Sequence, residues 1–215
     1  MSKISLKHSG GNVVSLNSPT SAPTSSDVAF KLPNADGTSG QAIVTDASGN
    51  LSFAGTGKIL QVVQTVKTDT ASITNATYAD ISGLTATITP SSTSNKILIS
   101  FVLQYGGDNN SYVAFKAYRG STLLPVGTQG TGSQTNASFG GFQEQNNSQY
   151  GVQTAVWQYL DSPSSTSALT YKLQWSSVYQ PGGSYDIYLN RPKNADGNAY
   201  NIFGTSSVTA MEVAA

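Results

Sequence analysis

Catalysis needs reactive side chains in groups, and this sequence supplies few of them. Its 215 residues hold no cysteine, one histidine (His8) and two glutamates, Glu144 and Glu212. Disulfides, thiolate chemistry and cysteine-ligated metals are therefore excluded. A Ser-His-Asp triad would have to use His8. That residue precedes the polar stretch "SGGN" near the start, where a solvated residue is the simpler reading. Sugar cleavage usually needs two carboxyl groups roughly 5–9.5 Å apart. Glu144 stands in a Gln/Asn-rich loop and Glu212 in a terminal strand, while Asp108, Asp161, Asp186 and Asp196 lie in or beside turns, where aspartate is expected anyway. The groups Asp108-Asn109-Asn110 and Asp196-Gly197-Asn198 offer oxygens without the EF-hand spacing. In "NADGTSGQAIVTDASGNLSF", residues 34–53, Gly37, Gly40 and Gly49 are too irregular for a phosphate-binding loop, and no helix pattern follows. The sequence thus predicts no catalytic residue, no metal site and no cofactor.

Two stretches remain informative. Residues 127–151, "GTQGTGSQTNASFGGFQEQNNSQYG", form a long loop region rich in amides and small residues, with Phe139, Phe142 and Tyr150. Long loops in compact domains are usually functional or disordered. Amides with exposed rings can hydrogen-bond and stack on a sugar or fit a protein epitope, so these three aromatics are the candidate contact residues; a surface loop packed on itself is the alternative. The last residues, "SSVTAMEVAA", stay apolar almost to the end, whereas free termini fray. Val208, Met211 and Val213 are accordingly expected to be covered, by the domain's own core or by a neighbouring chain.

The composition narrows the partners. Only 10% of residues are charged, and the formal net charge is +0. Such a chain has neither the basic patch of a nucleic-acid binder nor a field to steer toward anionic lipid. No apolar stretch is long enough for a membrane-spanning helix, so neither nucleic acid nor membrane insertion is expected. The start shows no apolar signal-peptide core, which predicts a protein made in the host cytoplasm and used without Sec-type export. Ser, Thr, Asn and Gln make up more than a third of the residues. A surface so poor in charge has little colloidal protection, and oligomerisation is one way to hide its apolar parts.

The elements that position these residues read as strands. "KILISFVLQY", 96–105, sets Ile97, Ile99, Phe101, Leu103 and Tyr105 on one face, with Lys96, Ser100 and Gln104 on the other and Leu98 and Val102 between them. "YVAFKAY", "YKLQW" and "YDIYL" alternate in the same way, and further strands are expected at 59–67, 84–89, 152–160 and 205–213. Period-two alternation separated by Gly, Asn and Asp turns at this spacing predicts an antiparallel β-sandwich. Eight strands suit its jelly-roll form. The first part differs: 16–27 is Pro/Ser/Thr-rich, 28–33 reads as a short strand stopped by Pro33, and a Gly-rich run at 55–57 marks a boundary. The predicted division is 1–57, a fibre or attachment module, and 58–215, a head. So small a module cannot bury a core alone.

Residues 9–53 resemble a short fibre module of tailed bacteriophages, notably marine ones. The pattern F-x-L-P-x-A-D-G-T-S-G-Q is matched by Phe30 to Gln41, and D-x-S-G-N-L-x-F by Asp46 to Phe53. The rest, from "ILQVVQTVK" through "YLDSPSSTSALTYKLQW" and "YLNRP" to "VTAMEV", is similar to the C-terminal domains of phage tail-fibre proteins. The resemblance implies a non-enzymatic virion protein on the tail or capsid surface. It implies a homotrimer with a jelly-roll head preceded by an extended β fibre module, and host attachment as its task. Ile43, Val44, Leu51 and Phe53, with Val208, Met211 and Val213, are then expected at the trimer axis. Ile4 and Leu6 are expected to dock on another virion protein by adding a strand to it, and Phe139, Phe142 and Tyr150 to meet a host glycan or protein. Only Met1 to His8 precede the module, so a head-fibre, decoration or tail accessory role without receptor binding stays open. A sugar-cleaving depolymerase is the third alternative.

Overall fold

The structure is a computed structural model that describes residues 3–7, 10–11, 13–17, 31–38, 41–46, 48, 50–55, 58–143, 148–178 and 185–215. The chain divides into two units, Met1–Thr56 and Gly57–Ala215. His8, Glu144 and the first half of the strand expected at 28–33, residues 28–30, lie outside the described residues.

The first unit is made of two-stranded ribbons. β1 (Lys3–Lys7) pairs antiparallel with β2 (Val13–Asn17), placing Ile4 opposite Leu16 and Leu6 opposite Val14. β3 (Gln41–Thr45) pairs antiparallel with β4 (Leu51–Gly55). The connection is an Asx turn. Asp46 Oδ1 accepts the N–H groups of Ser48 (2.8 Å) and Asn50 (3.1 Å), and Oδ2 accepts the Asn50 amide (2.5 Å). These bonds, the Asn50 side chain first and the Ser48 N–H next, hold the carboxyl below its ordinary range. On the other side of β3, Thr38 N–H donates to Gln41 Oε1 (2.7 Å) and Gln41 N–H donates to the Thr38 carbonyl (3.2 Å). Gly37 carries no side chain because Phe53 fills the space: a Cβ there would stand 2.5 Å from the ring. The Gly/Asp-rich motif therefore works as turn chemistry.

The second unit contains β5 (Ile59–Lys67), β6 (Ala71–Ile73), β7 (Ala79–Ile88), β8 (Lys96–Gly107), β9 (Tyr112–Arg119), β10 (Thr122–Leu123), β11 (Phe139–Phe142), β12 (Gln153–Asp161), β13 (Leu169–Ser177), β14 (Ile187–Leu189) and β15 (Ser206–Val213). One sheet runs β5-β15-β8-β12, with β14 and β6 continuing beyond the end of β15; the other runs β7-β13-β9, with β10 and β11 end to end on the free edge of β9. Successive long strands alternate between the sheets, and all pairings are antiparallel. This is the jelly-roll order, two Greek keys wrapped on each other.

Alternation builds the core. Ile97, Ile99, Phe101, Leu103 and Tyr105 from β8 meet Phe115, Ala117, Tyr171, Leu173 and Trp175 from the facing sheet, all buried. Val208 is fully buried among them, which corrects its assignment to an interchain surface. Residues 208 and 211 differ by an odd number, so a strand must send them to opposite faces. Met211 and Val213 are half-buried on the outer side. In the first unit the same parity splits Ile43 from Val44. Ile43 faces the side of Phe53 and Leu51, and Val44 the side of Ser52, so the two do not form one apolar row. Ile43 is exposed, and Leu51 and Phe53 are half-buried.

Candidate functional site

The clearest concavity of the head lies on the outer side of β9 and β11. β11 pairs with the start of β9, Phe139 against Phe115, Gly140 against Ala114, Gly141 against Val113 and Phe142 against Tyr112. Its two central glycines are required by what they face. A side chain at Gly140 would meet the Val113 carbonyl at 2.8 Å, and one at Gly141 would collide with the Tyr105 hydroxyl. The result is a flat floor of Ala114, Gly140 and backbone.

One wall is aromatic. Tyr112 stacks on Phe142 with ring centres 4.5 Å apart. The other wall is the loop 127–137, which is closed on itself. Gly127 N–H donates to the Ala137 carbonyl (3.0 Å), Gly130 N–H to Asn136 Oδ1 (3.0 Å) and Thr131 N–H to Gln134 Oε1 (2.9 Å). Because the oxygens of Gln134 and Asn136 fix the loop, each amide keeps its NH2 group as a donor. Between the walls is an open groove of about 600 Å³, lined by Tyr112, Ala114, Gln134, Asn136, Gly140 and Val178 among others, with no charged residue among the described lining.

The three aromatics expected to meet a partner separate in space. Phe142 lies on the outer face with Tyr112. Phe139, three residues earlier, points inward and stacks on Phe115 at 4.7 Å and on Trp157 at 6.2 Å. Its ring closes the gap between the two sheets, and the residue still belongs to the groove lining, whereas Phe142 does not. Tyr150 belongs to a 3-10 turn, Ser148–Tyr150, where it packs edge-on against Tyr200 at 5.7 Å, and it is not in the groove lining. Sequence reading missed Tyr112, Gln134, Asn136 and Val178. Gln134 and Asn136 had a signal in the amide-rich loop 127–151, and Tyr112 in its outward phase at the head of an alternating strand.

Among the described residues, the carboxylates considered for chemistry are occupied. Glu212 is buried, and its Oε1 accepts from the Ser91 N–H (2.6 Å), the Ser91 hydroxyl (2.7 Å) and the Asn95 amide (2.7 Å). Burial pushes its carboxyl up, but the Asn95 and Ser91 donors outweigh that and hold it below the ordinary range. Asp161 is buried under the Arg119 guanidinium (2.6 Å) and the Tyr171 hydroxyl (2.7 Å). Asp108 and Asp186 are neighbours, yet all four of their oxygens are engaged: by Lys193 and the Asp186 N–H, and by the hydroxyls of Thr74 and Tyr188. Asp196 caps its own turn at Asn198. Among the described residues no group of three or more His, Cys, Asp or Glu could hold a metal ion.

No family model matches the chain. No curated protein matches it. Among solved structures it is similar to chains of infectious bursal disease virus. One, of the Gt strain, is 12% identical with a TM-score of 0.36, over 80% of this chain and 42% of that one. Another, of the VP2 subviral particle, is 12% identical with a TM-score of 0.34, over 94% of this chain and 51% of that one. The chain spans about half the length of these structures or less.

Proposed function

We propose that this chain is a non-enzymatic structural protein of a virus particle, a homotrimeric fibre of the tailed-phage kind. Its first unit docks on another virion protein, with the β1 segment holding Ile4 and Leu6 as the docking strand. Its jelly-roll head is carried outward for host attachment through the groove on β9 and β11. The fibre-module likeness of residues 9–53 supports the virion assignment. The observation that carries attachment is the chemistry of the groove: an aromatic wall, an amide rim, a flat floor of small residues and no charged residue among the described lining.

That combination fits an uncharged saccharide. A sugar ring offers C–H faces to stack on an aromatic side chain and hydroxyls to pair with amides. A polyanionic glycan or a nucleotide would need basic partners, which the described lining lacks. Among the described residues, the engaged aspartates and a buried Glu212 held through Oε1 speak against the depolymerase alternative.

The test is binding of the purified head-bearing chain to host surface glycans. Tyr112→Ala is expected to weaken binding about tenfold, the equivalent of ~1.4 kcal/mol; Asn136→Ala is expected to weaken it at least as much, because it also releases the loop bond from the Gly130 N–H. Binding to particles without any binding to host cells or glycans would instead identify a decoration or accessory protein.

A further inference from the structure

The jelly roll has a second surface, on the outer side of β5, β15, β8 and β12, and its register sorts it into levels. Val62, Met211, Leu98 and Leu160 stand side by side across the four strands. Two residues further along come Gln64, Thr209, Ser100 and Gln158, and then Val66, Ser207, Val102 and Val156. The apolar levels are wet in a single copy: Val62 is 56% exposed, Val66 50%, Val156 55% and Leu160 44%. Leu60, on the same side of β5, is 45% exposed. A sheet covered on one side only should alternate apolar and polar. This one is apolar on both sides, which is the pattern of a sheet covered twice.

The polar level does not oppose burial, because it is satisfied within the sheet. Gln64 Nε2 donates to Thr209 Oγ1 at 2.8 Å, and Gln158 Nε2 donates to Ser100 Oγ at 3.2 Å. Buried polar groups are costly when unpaired and tolerable when bonded. Across the outer positions of the four strands the only charged residue is Lys96, at the rim.

We infer that this face is the contact through which copies of the chain associate, three about one axis. The inference deepens the trimer reading above and rests on it. With strands along the axis, symmetry brings level against level, apolar to apolar and polar to polar. A foreign partner would have to carry the same banding independently. The dimensions of the face are compatible with three copies. Four strands ~4.8 Å apart make a face roughly 19 Å wide, and Leu60 to Val66 spans roughly 20 Å. That is about 400 Å² in flat projection per copy. Set about one axis, three such faces hide about 1,200 Å² in the whole assembly, roughly 400 Å² for each pair of copies, so other contacts must add to this one. A triangular prism with walls ~19 Å wide holds each wall ~5.5 Å from its axis, close to half the ~10 Å at which sheets pack face to face. Three faces can therefore close without a hole.

The experiment is the mass of the full chain in solution at micromolar concentration, for wild type and for Val62→Asp with Val156→Asp. Both sites are exposed and on edge strands of the sheet, so each copy should keep its fold, which near-UV circular dichroism reports. The expected result is a trimer for wild type and the 22.4 kDa of one chain for the double variant, with unchanged aromatic signals. A wild-type chain that stays at the mass of one copy overturns the inference. So does a double variant that remains trimeric, because association would then run through another surface, the first unit included. In either case glycan binding measured on the same samples still judges the attachment proposal separately.

Discussion

The two outer faces of the head belong to one sandwich and share one core, yet they are built for different neighbours. The face on β7, β13 and β9 is dressed for water. Lys172 pairs with Asp80 at 2.7 Å, Gln174 reaches the same carboxylate at 2.9 Å, Thr87 bonds Thr170 at 2.8 Å, and Lys116 lies over the Tyr78 ring at 4.1 Å. The face on β5, β15, β8 and β12 puts Val, Leu and Met in those positions. The head has little charge to spend, and it places charge on one side. A sheet's free face reflects what it meets, and here the two differ: one carries polar and charged pairs suited to water, the other apolar levels that the proposed assembly would cover.

The largest effect separates the core from the apolar outer face. Phe101, fully buried in β8 between the sheets, is expected to cost about 3–5 kcal/mol when cut to alanine. That loss should appear at every protein concentration. Val156→Ala, on the outer side of the neighbouring strand, removes surface that is 55% exposed in one copy. It should cost little in a separated chain and lower the melting temperature only where copies associate, since coupled association makes stability depend on concentration. Thermal unfolding over a hundredfold range of concentration checks this. Parallel curves for Phe101→Ala and wild type, with a flattened slope for Val156→Ala, are the expected result.

Glu212 gives the next effect, beneath the apolar face. It ties β15 to the turn at Ser91 and Asn95 through three charge-assisted bonds on one oxygen. Its folded pKa is lowered, so the stability it contributes is present above the unfolded carboxylate pKa of ~4.3 and is lost as pH falls through the lower folded value. Glu212→Gln should therefore cost about 1.5–3 kcal/mol at neutral pH and flatten the acid limb of the stability profile. Urea midpoints between neutral pH and the acid limb measure both.

Much of this contrast was written in the sequence. The alternation in 96–105 gave the inner row of β8, and Leu98 and Val102 already broke the polarity of its other side. The jelly-roll class followed from strand number and turn spacing. Other parts were hidden for physical reasons. β7 begins at Ala79, five residues before the strand read at 84–89, because the chain turns through positive φ at Gly83. The pairing with β13 shifts register there, so Ile81 and Leu84 are both buried at odd spacing. Such a bulge breaks the period on which the reading depends. β11 is "FGGF", too short and too glycine-rich to announce a strand. Its glycines are explained only by Tyr105 and Val113, which are distant in sequence. The groove was illegible for the same reason: its aromatic wall starts β9, and its amide rim comes from a loop held by its own backbone bonds. Val208 was misplaced because apolar character was read without parity.

The smallest expected effect tests the wet face. Asp80 is half exposed and Lys172 about a quarter. The Lys172 bond, then Gln174, hold the Asp80 carboxyl below its ordinary range. Exposed pairs of this kind contribute at most about 1 kcal/mol and are screened by salt. Asp80→Asn keeps the shape and the bond from Gln174 while removing the charge. It should cost well under about 1 kcal/mol at low salt, lose even that in about 1 M salt, and leave the mass in solution unchanged. The unchanged mass is the sharper half of the prediction. If neutralising Asp80 altered association, the solvent-dressed face would be taking part in assembly, and the division of labour between the two sheets would fail from the side where it asks least.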